Sequence, residues 1–493
     1  MKTSPMKHQE VGVARLAAAP KGFMLGCEQG TGKTWMLLAD AEHQFNAGLI
    51  DAVLVLAPKG VHTNWVLREI PTHTSVPTVS AYYLAGGGVR RKAAIERVFR
   101  NNGERELRIL AINIDAIIHK EGYDLARRLL RTYRTMMIVD ESQRIKSMDS
   151  ARTQKAILLG RMAVSRRASS GTPITNSPVD IFSQIEFIAP EQALLGTTSH
   201  KAFFAEYAVL LAADSVLMKA IKERTRARGT PQIVARDTEG KPKWRNLDKL
   251  GRLLEPIMYR VLKADCLDLP EKIYKTIYFE LEPKQQAIYD MVEEKMRLER
   301  EDGDFDIFTA LTKINKLRQV TSGFVIVDGE ATVLRIDSNP RMQALKSLVE
   351  DIDGQFIVWA SFVEELSQIM VAMEACGLKA VQYSGKISSA NRERAIDDFQ
   401  NGKATVFVGQ PVAGGVGLTL TAAKTVVYYS SDYNLGTRLQ SEDRCHRIGT
   451  TTHVVYIDLA ATDTIDEKIA SALQTKEELS QAVLFRASNS NRR

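Results

Sequence analysis

A glycine-rich segment near the N-terminus has the residue types that bind phosphate. It consists, in order, of Gly30, Thr31, Gly32, Lys33 and Thr34. Glycines let backbone N–H groups close around a polyphosphate, and the N-terminus of a following helix adds a favourable dipole. In such a loop the lysine reaches the β- and γ-phosphates and the threonine hydroxyl binds Mg²⁺. We therefore predict an ATP site in which Lys33 is catalytic and Thr34 is a metal ligand.

The residues around this loop predict the strand and helix that such a loop requires. Residues 21–26 form a short apolar stretch, and residues 35–39 begin a helical pattern. Strand, glycine loop and helix together are the context of a phosphate-binding loop. Cys27 stands where the general pattern has its leading glycine. The alternative, a glycine turn before an ordinary surface lysine, is disfavoured by the flanking elements.

Two adjacent carboxylates follow another apolar run. Residues 135–139 predict a buried strand that ends in Asp140 and Glu141. Open α/β sheets place their ligands at the carboxyl ends of the strands. Asp140 is suited to hold Mg²⁺, directly or through water, and Glu141 to orient and deprotonate the attacking water. The alternative is an exposed Asp-Glu pair in a turn.

Near the C-terminus, Arg444 and Arg447 are spaced to lie on one face of a helix. Two guanidinium groups aimed at a γ-phosphate would stabilise charge on the transferring group, and one arginine finger accelerates transfer by ~10³–10⁵. A pair of solvated arginines is the alternative. At the other end of the chain, Gln9 precedes the phosphate loop, where an amide could read the edge of an adenine. A solvated helix residue is the preferred interpretation of Gln9.

These residues need a scaffold of parallel strands. Apolar runs predict buried strands at 51–58, 108–113, 135–139, 355–360 and 404–408, and residues 380–383 begin a further unit of the second lobe. Because helical patterns alternate with them, we predict an α/β fold with parallel sheets flanked by helices. Residues 191–260 lose the strand pattern, and helical spacing from Gln285 to Leu298 predicts a long protruding helix. The basic stretch from Lys222 to Lys249 suits either a phosphate-tracking surface or a solvated insertion.

Composition narrows the class of protein only slightly. The chain has 493 residues and a formal net charge of +7, which permits a nucleic-acid partner without requiring one. The four cysteines have no metal-ligand spacing, so we expect free thiols in a reducing compartment. No signal peptide or membrane-spanning run is seen, and a cytoplasmic location is expected.

The order of these motifs resembles the superfamily 2 helicase motors. Asp140-Glu141-Ser142-Gln143 stands where that superfamily has its Asp-Glu-x-x box, and 440–449, Gln-Ser-Glu-Asp-Arg-Cys-His-Arg-Ile-Gly, resembles its final motif. Residues 171–176, Gly-Thr-Pro-Ile-Thr-Asn, resemble the form found in the Swi/Snf-like branch, and 259–272 resemble the junction of that branch, with Val261 in place of its second arginine. The annealing-helicase subgroup is favoured within the branch. Residues 410–412 (Gln-Pro-Val) and 433–435 (Tyr-Asn-Leu) depart from the usual pattern.

The resemblance implies two RecA-like lobes with ATP held between them. It predicts an ATP-binding lobe at 1–190, helical protrusions and an inter-lobe connection at 191–330, a second lobe at 331–475 and a C-terminal tail at 476–493. It adds Gly417 to the nucleotide site. It implies coupling roles for Gly171, Thr172 and Gln440. The nucleic-acid contacts it implies lie in loops after strands, at Pro58, Lys59, Asn113, Ser361, Lys386, Gly414 and Gly415.

The function expected on this basis is an ATP-dependent DNA translocase or remodelling motor of bacterial or phage size, with duplex or forked DNA as the preferred partner and strand annealing or fork remodelling as a candidate output. Two alternatives stay open. One is a helicase that separates strands of DNA or RNA. The other is a nucleic-acid-binding scaffold with weak or no ATPase activity.

Overall fold

The computed structural model describes residues 1–100, 103–190, 199–212, 233–238, 240–302, 307–327, 332–335, 339–412 and 418–489. The chain divides into two compact units. The first contains the described residues up to Asp268 and those from Lys476 onward, and the second runs from Leu269 to Thr475.

Seven parallel strands form the sheet of the first unit. They are β1 (Gly22–Leu25), β2 (Ala52–Ala57), β3 (Thr78–Tyr83), β4 (Leu107–Asn113), β5 (Thr135–Asp140), β6 (Ser165–Ser169) and β7 (Met258–Tyr259). Their order in the sheet is β3-β4-β2-β5-β6-β1-β7, and every neighbouring pair is parallel. The carboxyl ends of β1, β6 and β5 are therefore adjacent at one edge of the sheet, and those of β2, β4 and β3 continue that edge.

Helices connect these strands, as parallel pairing requires. They are α1 (Lys7–Ala18), α2 (Lys33–Asn46), α3 (Val61–Asn64), α4 (Ile70–His73), α5 (Val89–Phe99), α6 (Lys120–Thr132), α7 (Ala151–Gly160), α8 (Phe182–Ile188), α9 (His200–Tyr207), α10 (Leu247–Leu254) and α11 (Lys263–Cys266). A π-helical turn, Trp65–Glu69, joins α3 to α4. Shorter 3₁₀ turns lie at Ile114–Ile118, Ser142–Ile145 and Pro178–Ile181.

The second unit has a six-stranded parallel sheet and a two-stranded antiparallel ribbon. Its strands are β8 (Lys272–Phe279), β9 (Phe324–Val327), β10 (Thr332–Arg335), β11 (Phe356–Trp359), β12 (Ala380–Tyr383), β13 (Val406–Gly409), β14 (Thr425–Tyr428) and β15 (Val454–Ala461). The sheet order is β12-β13-β11-β14-β15-β8, and β9 pairs with β10. Its helices are α12 (Pro283–Asp302), α13 (Ile307–Thr321), α14 (Pro340–Glu350), α15 (Val363–Ala375), α16 (Ser389–Gln400), α17 (Leu435–Glu442) and α18 (Ile465–Asn489), of which α18 continues into the residues assigned to the first unit.

The central strands β2 and β5 are buried at every position because both faces of the sheet are covered. In β11, Phe356 and Val358 pack into one core cluster, whereas Ile357 and Trp359 pack into the other. This alternation is the two-residue period of a strand. The predicted fold class, two parallel-sheet lobes flanked by helices, is confirmed. No helix among the described residues combines the length and the apolarity needed to cross a membrane.

Parts of the predicted middle segment have a position in these units. Strand β8 lies within the predicted 191–330 range and is the edge strand of the second sheet, paired with β15. Trp244, from the basic stretch, packs edge-to-face on Phe204 at 6.2 Å, against the core of the first unit. Residues 213–232, which hold much of the basic stretch, lie outside the described residues.

Candidate functional site: a phosphate loop and two carboxylates

The predicted phosphate loop lies between β1 and α2 and has the backbone that its glycines allow. Gly30 and Gly32 have φ angles of 82° and 83°, a region that side chains strongly disfavour. A Cβ atom on Gly32 would lie 2.0 Å from the Nε2 atom of Gln9. Gly32 is therefore required both by its backbone angle and by the packing of Gln9. The Thr31 hydroxyl donates to the Glu28 carbonyl at 2.8 Å and closes the loop on itself.

The ammonium group of Lys33 lies within the loop. Its Nζ donates to the carbonyl oxygens of Cys27 at 3.0 Å and Glu28 at 3.1 Å. Cys27, at the position of the missing glycine, is fully buried, and its thiol donates to the Tyr259 carbonyl on β7 at 3.4 Å. Burial raises the pKa of this thiol to about 12, so it stays neutral. The Cys27 side chain thus packs against the sheet while its backbone carbonyl serves the lysine.

Gln9 belongs to this loop rather than to the solvent. It is only 7% exposed; its Nε2 donates to the Thr31 carbonyl at 3.3 Å and its Oε1 accepts from the Met6 N–H at 2.9 Å. The preferred interpretation, a solvated helix residue, is wrong because α1 packs its Gln9 face onto the loop. His8 contacts the same Thr31 carbonyl at 2.8 Å. The role of Gln9 in reading adenine stays a prediction.

Asp140 ends β5 with three hydrogen-bond donors around its carboxylate. The Ser169 hydroxyl at 2.7 Å and the Glu141 N–H at 3.0 Å donate to Oδ1, and the indole Nε1 of Trp65 donates to Oδ2 at 3.0 Å. Asp140 is 7% exposed. Nothing in the sequence pattern pointed to Ser169 or Trp65, since neither motif position nor charge marks a hydrogen-bond donor to another strand's carboxylate.

Glu141 is held in a conformation that few residues adopt. Its φ angle is 53°, in the left-handed region, and it is 4% exposed. Burial raises the pKa of its carboxyl above the usual range, the charge of Asp140 adds to this effect, and the charge of Lys33 opposes it. Strained backbone and a raised pKa are both common at catalytic positions. A carboxyl with a raised pKa is a stronger base once it is ionised.

A hydrogen-bonded chain joins the carboxylates to the segment after β6. The Gln143 side chain donates from Nε2 to Glu141 at 2.7 Å and accepts at Oε1 from the Ser170 hydroxyl at 2.6 Å. The Ser170 oxygen in turn accepts from the Thr172 N–H at 3.0 Å. This chain of hydrogen bonds connects Thr172 to Glu141, and the coupling role of Thr172 stays a prediction.

Gly171, the neighbouring predicted coupling residue, touches the phosphate loop. A Cβ atom at this position would lie 3.0 Å from Cγ and 3.2 Å from the backbone nitrogen of Gln29. The loops after β1, β5 and β6 therefore lie together, and the predicted residues Lys33, Asp140, Glu141 and Gly171 share one edge of the first sheet.

The other predicted contacts of the first unit lie farther along that edge. Pro58 is buried and Lys59 is exposed, in the segment that follows β2. Asn113 ends β4, and its Oδ1 accepts from the Asp115 N–H at 3.1 Å, which caps the following turn. The side chain of Asn113 therefore has a local structural contact, whereas Lys59 presents an accessible charge.

In the second unit, Ser361 follows β11 and Lys386 is exposed in the segment after β12. Ser361 lines a cavity of about 370 Å³ at the carboxyl ends of the strands, together with Arg318, Phe362, Gln410 and Ser430. The Nε2 of Gln410 donates to the Ser361 carbonyl at 3.0 Å. Gln410 belongs to the Gln-Pro-Val segment that differs from the usual family pattern, and here it holds the segment after β11. Gly414, Gly415 and Gly417 lie outside the described residues.

The helix α17 ends at Glu442, so Arg444 and Arg447 lie in the turns that follow it, and the prediction that they share one helical face is wrong. Their surroundings also differ. Arg444 is 5% exposed, its guanidinium lies 4.9 Å from the centre of the Trp359 ring, and Nη2 donates to the Pro411 carbonyl at 2.6 Å. Burial lowers the pKa of this guanidinium to about 10, still well above neutral pH. Arg447 is half-buried, and its Nη1 donates to the Thr419 hydroxyl at 2.8 Å.

The helix before these arginines is anchored by a buried carboxylate. Glu442 is 2% exposed and accepts hydrogen bonds from Lys272 at 3.0 Å, Tyr274 at 2.7 Å and Arg438 at 2.8 Å. The positive charges of Lys272 and Arg438 outweigh the effect of burial and lower the pKa of the Glu442 carboxyl. The predicted coupling residue Gln440 lies in this helix, α17.

The residues of the first unit suit the predicted Mg²⁺. Asp140 and Thr34 supply oxygen donors, which this ion prefers. An ionised carboxylate has about four acceptor positions, and three of them on Asp140 are filled by Trp65, Ser169 and Glu141. The Asp140 carboxylate can therefore accept one further partner, which a contact with a metal ion, direct or through water, requires.

Comparisons with known proteins agree with this geometry. Residues 8–343 match the SNF2-related domain, and residues 340–449 match the helicase conserved C-terminal domain. Human lymphoid-specific helicase is 23% identical over 94% of this chain and 60% of its own length. A putative ATP-dependent helicase/translocase of Bacillus subtilis, YwqA, is 24% identical over 94% of this chain and 46% of its own length. The chain thus spans about half the length of the curated relatives it matches.

A solved structure, the Sulfolobus solfataricus SWI2/SNF2 ATPase core in complex with dsDNA, aligns with 100% of this chain and 96% of its own chain, at 22% identity and a TM-score of 0.40.

Proposed function

This chain belongs to the SNF2-related family, and from that premise we propose that it is a nucleic-acid-stimulated ATPase that moves along duplex DNA. The observation that carries the proposal is the group of Lys33, Asp140 and Glu141 at one sheet edge, with the loops after β1, β5 and β6 in contact. These are the residue types that bind a triphosphate and activate water for its hydrolysis.

In the proposed reaction, each residue has one task. Lys33 leaves the carbonyls of Cys27 and Glu28 and binds the β- and γ-phosphates. Glu141 accepts the proton of the attacking water, and Gln143 and the backbone strain hold its carboxylate in place. Thr34 and Asp140 would hold Mg²⁺, which would neutralise charge on the phosphates. Arg447 and Arg444 stabilise the charge that develops on the transferred group.

DNA is proposed to contact the segments that follow the strands. Lys59 and Lys386 offer accessible positive charges there, and Ser361 is proposed to contact DNA as well. Gly414 and Gly415 belong to the same proposal. Because such contacts reach the phosphate backbone, binding is independent of sequence and weakens steeply as salt rises. Duplex DNA is preferred over RNA on the family resemblance, and the word translocase in the name of the Bacillus subtilis relative favours the same output.

The test combines two displacement assays on the intact chain. A translocase removes a third strand from a DNA triplex in the presence of ATP but does not separate a long duplex. Clean unwinding of that duplex would instead establish the strand-separating alternative. Strand annealing and fork remodelling are finer outputs, measured with complementary single strands and with a model fork.

The scaffold alternative makes a different prediction in the same experiments. A scaffold binds duplex DNA while its ATP hydrolysis stays flat as DNA is added. The buried, strained Glu141 argues against this alternative, because a binding scaffold has no need of a carboxyl whose burial costs free energy. A rate that rises with added DNA excludes it.

A further inference from the structure

Trp65 lies where two groups of strands meet at the edge of the first sheet. On one side β1, β6 and β5 carry the proposed ATP residues, and on the other β2, β4 and β3 lead into the segments of the proposed DNA contacts. Strands β5 and β2 are neighbours across this boundary, with Val139 paired to Leu56. Trp65 follows β2 by eight residues, shortly after Lys59, yet its hydrogen bond goes to the end of β5.

The contact itself is buried and specific. The indole Nε1 of Trp65 donates to Oδ2 of Asp140 at 3.0 Å, and Trp65 is 1% exposed. A hydrogen bond to a carboxylate is among the stronger ones in proteins, and exclusion of water strengthens it further. The other oxygen, Oδ1, is bonded from within the ATP group by Ser169. Each oxygen of Asp140 is therefore held from a different side of the boundary.

The backbone at Trp65 is unusual as well. A π-helical turn begins at this residue and runs to Glu69. Such turns are rare and occur frequently at functional sites. The turn directly follows α3, which begins one residue after the Pro58–Gly60 segment. Because only a short helical segment separates residues 58–60 from Trp65, a displacement of those residues would move the indole, which is one of the three hydrogen-bond donors to the Asp140 carboxylate.

We propose that Trp65 is a positioning residue that couples the DNA-contacting segment after β2 to the metal-binding carboxylate Asp140. The proposal rests on the proposed function, and it adds a defined route by which DNA changes the rate of hydrolysis. Engagement of the 58–60 segment sets the orientation of the indole donor, and the donor sets the orientation of Oδ2. Ser169 supports the same carboxylate from β6, which is separated from β2 by β5 in the sheet.

Three substitutions distinguish coupling to DNA from a purely structural support of the Asp140 carboxylate. Trp65→Phe removes the donor to Oδ2 and keeps an aromatic ring, whereas Ser169→Ala removes the side-chain donor to Oδ1. Trp35→Phe is the matched control, since the Trp35 indole donates to Thr3 at 2.9 Å instead. Loss of a hydrogen bond to a metal-binding carboxylate typically costs about ten-fold or more in metal affinity. Both Trp65→Phe and Ser169→Ala should raise the Mg²⁺ concentration for half-maximal ATP hydrolysis by about that factor.

The ratio of DNA-stimulated to basal ATP hydrolysis distinguishes Trp65→Phe from Ser169→Ala. Trp65→Phe should lower this ratio, whereas Ser169→Ala and Trp35→Phe should keep it. An undiminished ratio in folded Trp65→Phe would overturn the coupling while leaving the proposed function intact. If the unaltered protein shows no stimulation by duplex DNA, the proposed function fails and the coupling fails with it.

A second measurement does not depend on turnover or on the phenylalanine variant folding. The chain has four tryptophans, so ¹⁵N-labelled indoles give a spectrum of four signals, and substitution of the other three assigns the Trp65 signal by elimination. The Trp65 indole signal should shift when duplex DNA is added without nucleotide, and again when Mg²⁺ and a non-hydrolysable ATP analogue are added. A Trp65 signal that responds to Mg²⁺–nucleotide but not to DNA would overturn the coupling. Replacement of Trp65 by its benzothienyl isostere, which lacks only the N–H, should lower the stimulation ratio as Trp65→Phe does.

Discussion

In the first unit the charged groups of the proposed site lie close enough together for Asp140 and Lys33 to act on the pKa of Glu141, whereas in the second unit the two arginines contact an aromatic ring and uncharged oxygens. Lys33 bonds carbonyls of its own loop, and its charge acts on the carboxyl of Glu141. Arg444 lies against Trp359 and bonds the Pro411 carbonyl. In the proposed reaction Lys33 and Arg444 would each exchange a carbonyl for a phosphate oxygen, so the difference between the two units lies in the carboxylates that accompany Lys33.

The largest expected effect comes from removing the phosphate-binding charge of the first unit. Lys33→Ala should abolish DNA-stimulated ATP hydrolysis, because the lysine is the residue that reaches the β- and γ-phosphates. Steady-state phosphate release with saturating duplex measures it. Lys21→Ala is the matched control, since Lys21 is exposed next to the opposite end of β1. Substantial turnover in Lys33→Ala would contradict the assignment of Lys33 as the phosphate-binding residue of the first unit.

Glu141→Gln should also abolish turnover but retain ATP binding. The amide keeps the shape and an acceptor for Gln143 but cannot take a proton from water. A fluorescent ATP analogue measures binding, and a single-turnover assay measures hydrolysis. Loss of nucleotide binding in this variant would contradict the assignment of Glu141 as the base.

Arg447→Ala tests whether the second unit contributes to hydrolysis. Turnover should fall by about 10³-fold or more if this arginine acts as a finger, with ATP binding nearly intact. The fold should be unaffected, because substitutions of partly exposed residues usually change stability by less than about 0.5 kcal/mol. A variant with normal turnover would remove Arg447 from the reaction.

Arg444→Ala should differ by being destabilising. The substitution removes the packing on Trp359 and leaves the Pro411 carbonyl without its donor, a loss of about 1–3 kcal/mol. Thermal unfolding of the two arginine variants side by side measures the difference. Equal melting temperatures would show that burial of Arg444 contributes nothing to the fold, and the contrast between the two arginines would disappear.

The pH dependence of stability gives a smaller effect on the first unit. The pKa of Glu141 is raised in the folded protein, so folding is favoured by its protonated form. That contribution is fully present below the unfolded pKa of about 4.3 and is lost as pH rises through the folded pKa. Glu141→Gln should therefore melt at a higher temperature than the unaltered chain at neutral pH, and the difference should vanish near pH 4. A difference that is independent of pH would contradict the raised pKa.

The site residues that could be predicted are those that a short run of neighbouring residues identifies. The loop from Gly30 to Thr34 and the pair Asp140 and Glu141 each follow a recognisable apolar strand, and the strand ends bring them to one edge. The strands predicted at 51–58, 108–113, 135–139, 355–360 and 404–408 agree with the observed strands to within about two residues, since burial on both faces favours apolar runs. The edge strands β3 and β8 are partly exposed and were not predicted, and β14 and β15 were missed as well.

The contacts that could not be predicted join segments far apart in the chain. Gln9 looked solvated because its neighbours are polar, yet α1 packs it against the loop. Trp65 lies 75 residues from Asp140, and no local pattern marks an indole that donates to another strand's carboxylate. Arg444 and Arg447 have the spacing of one helical face, but the helix ends at Glu442 and the Trp359 ring packs on Arg444. Each depends on tertiary packing rather than on period or motif.

The most direct measurement is the steady-state rate of ATP hydrolysis by the unaltered chain as duplex DNA is titrated in at low salt. The account predicts a rate that rises to saturation with DNA, falls again as salt weakens binding, and is absent in Lys33→Ala. A rate that is the same with and without duplex, in a protein that demonstrably binds the DNA, would contradict it.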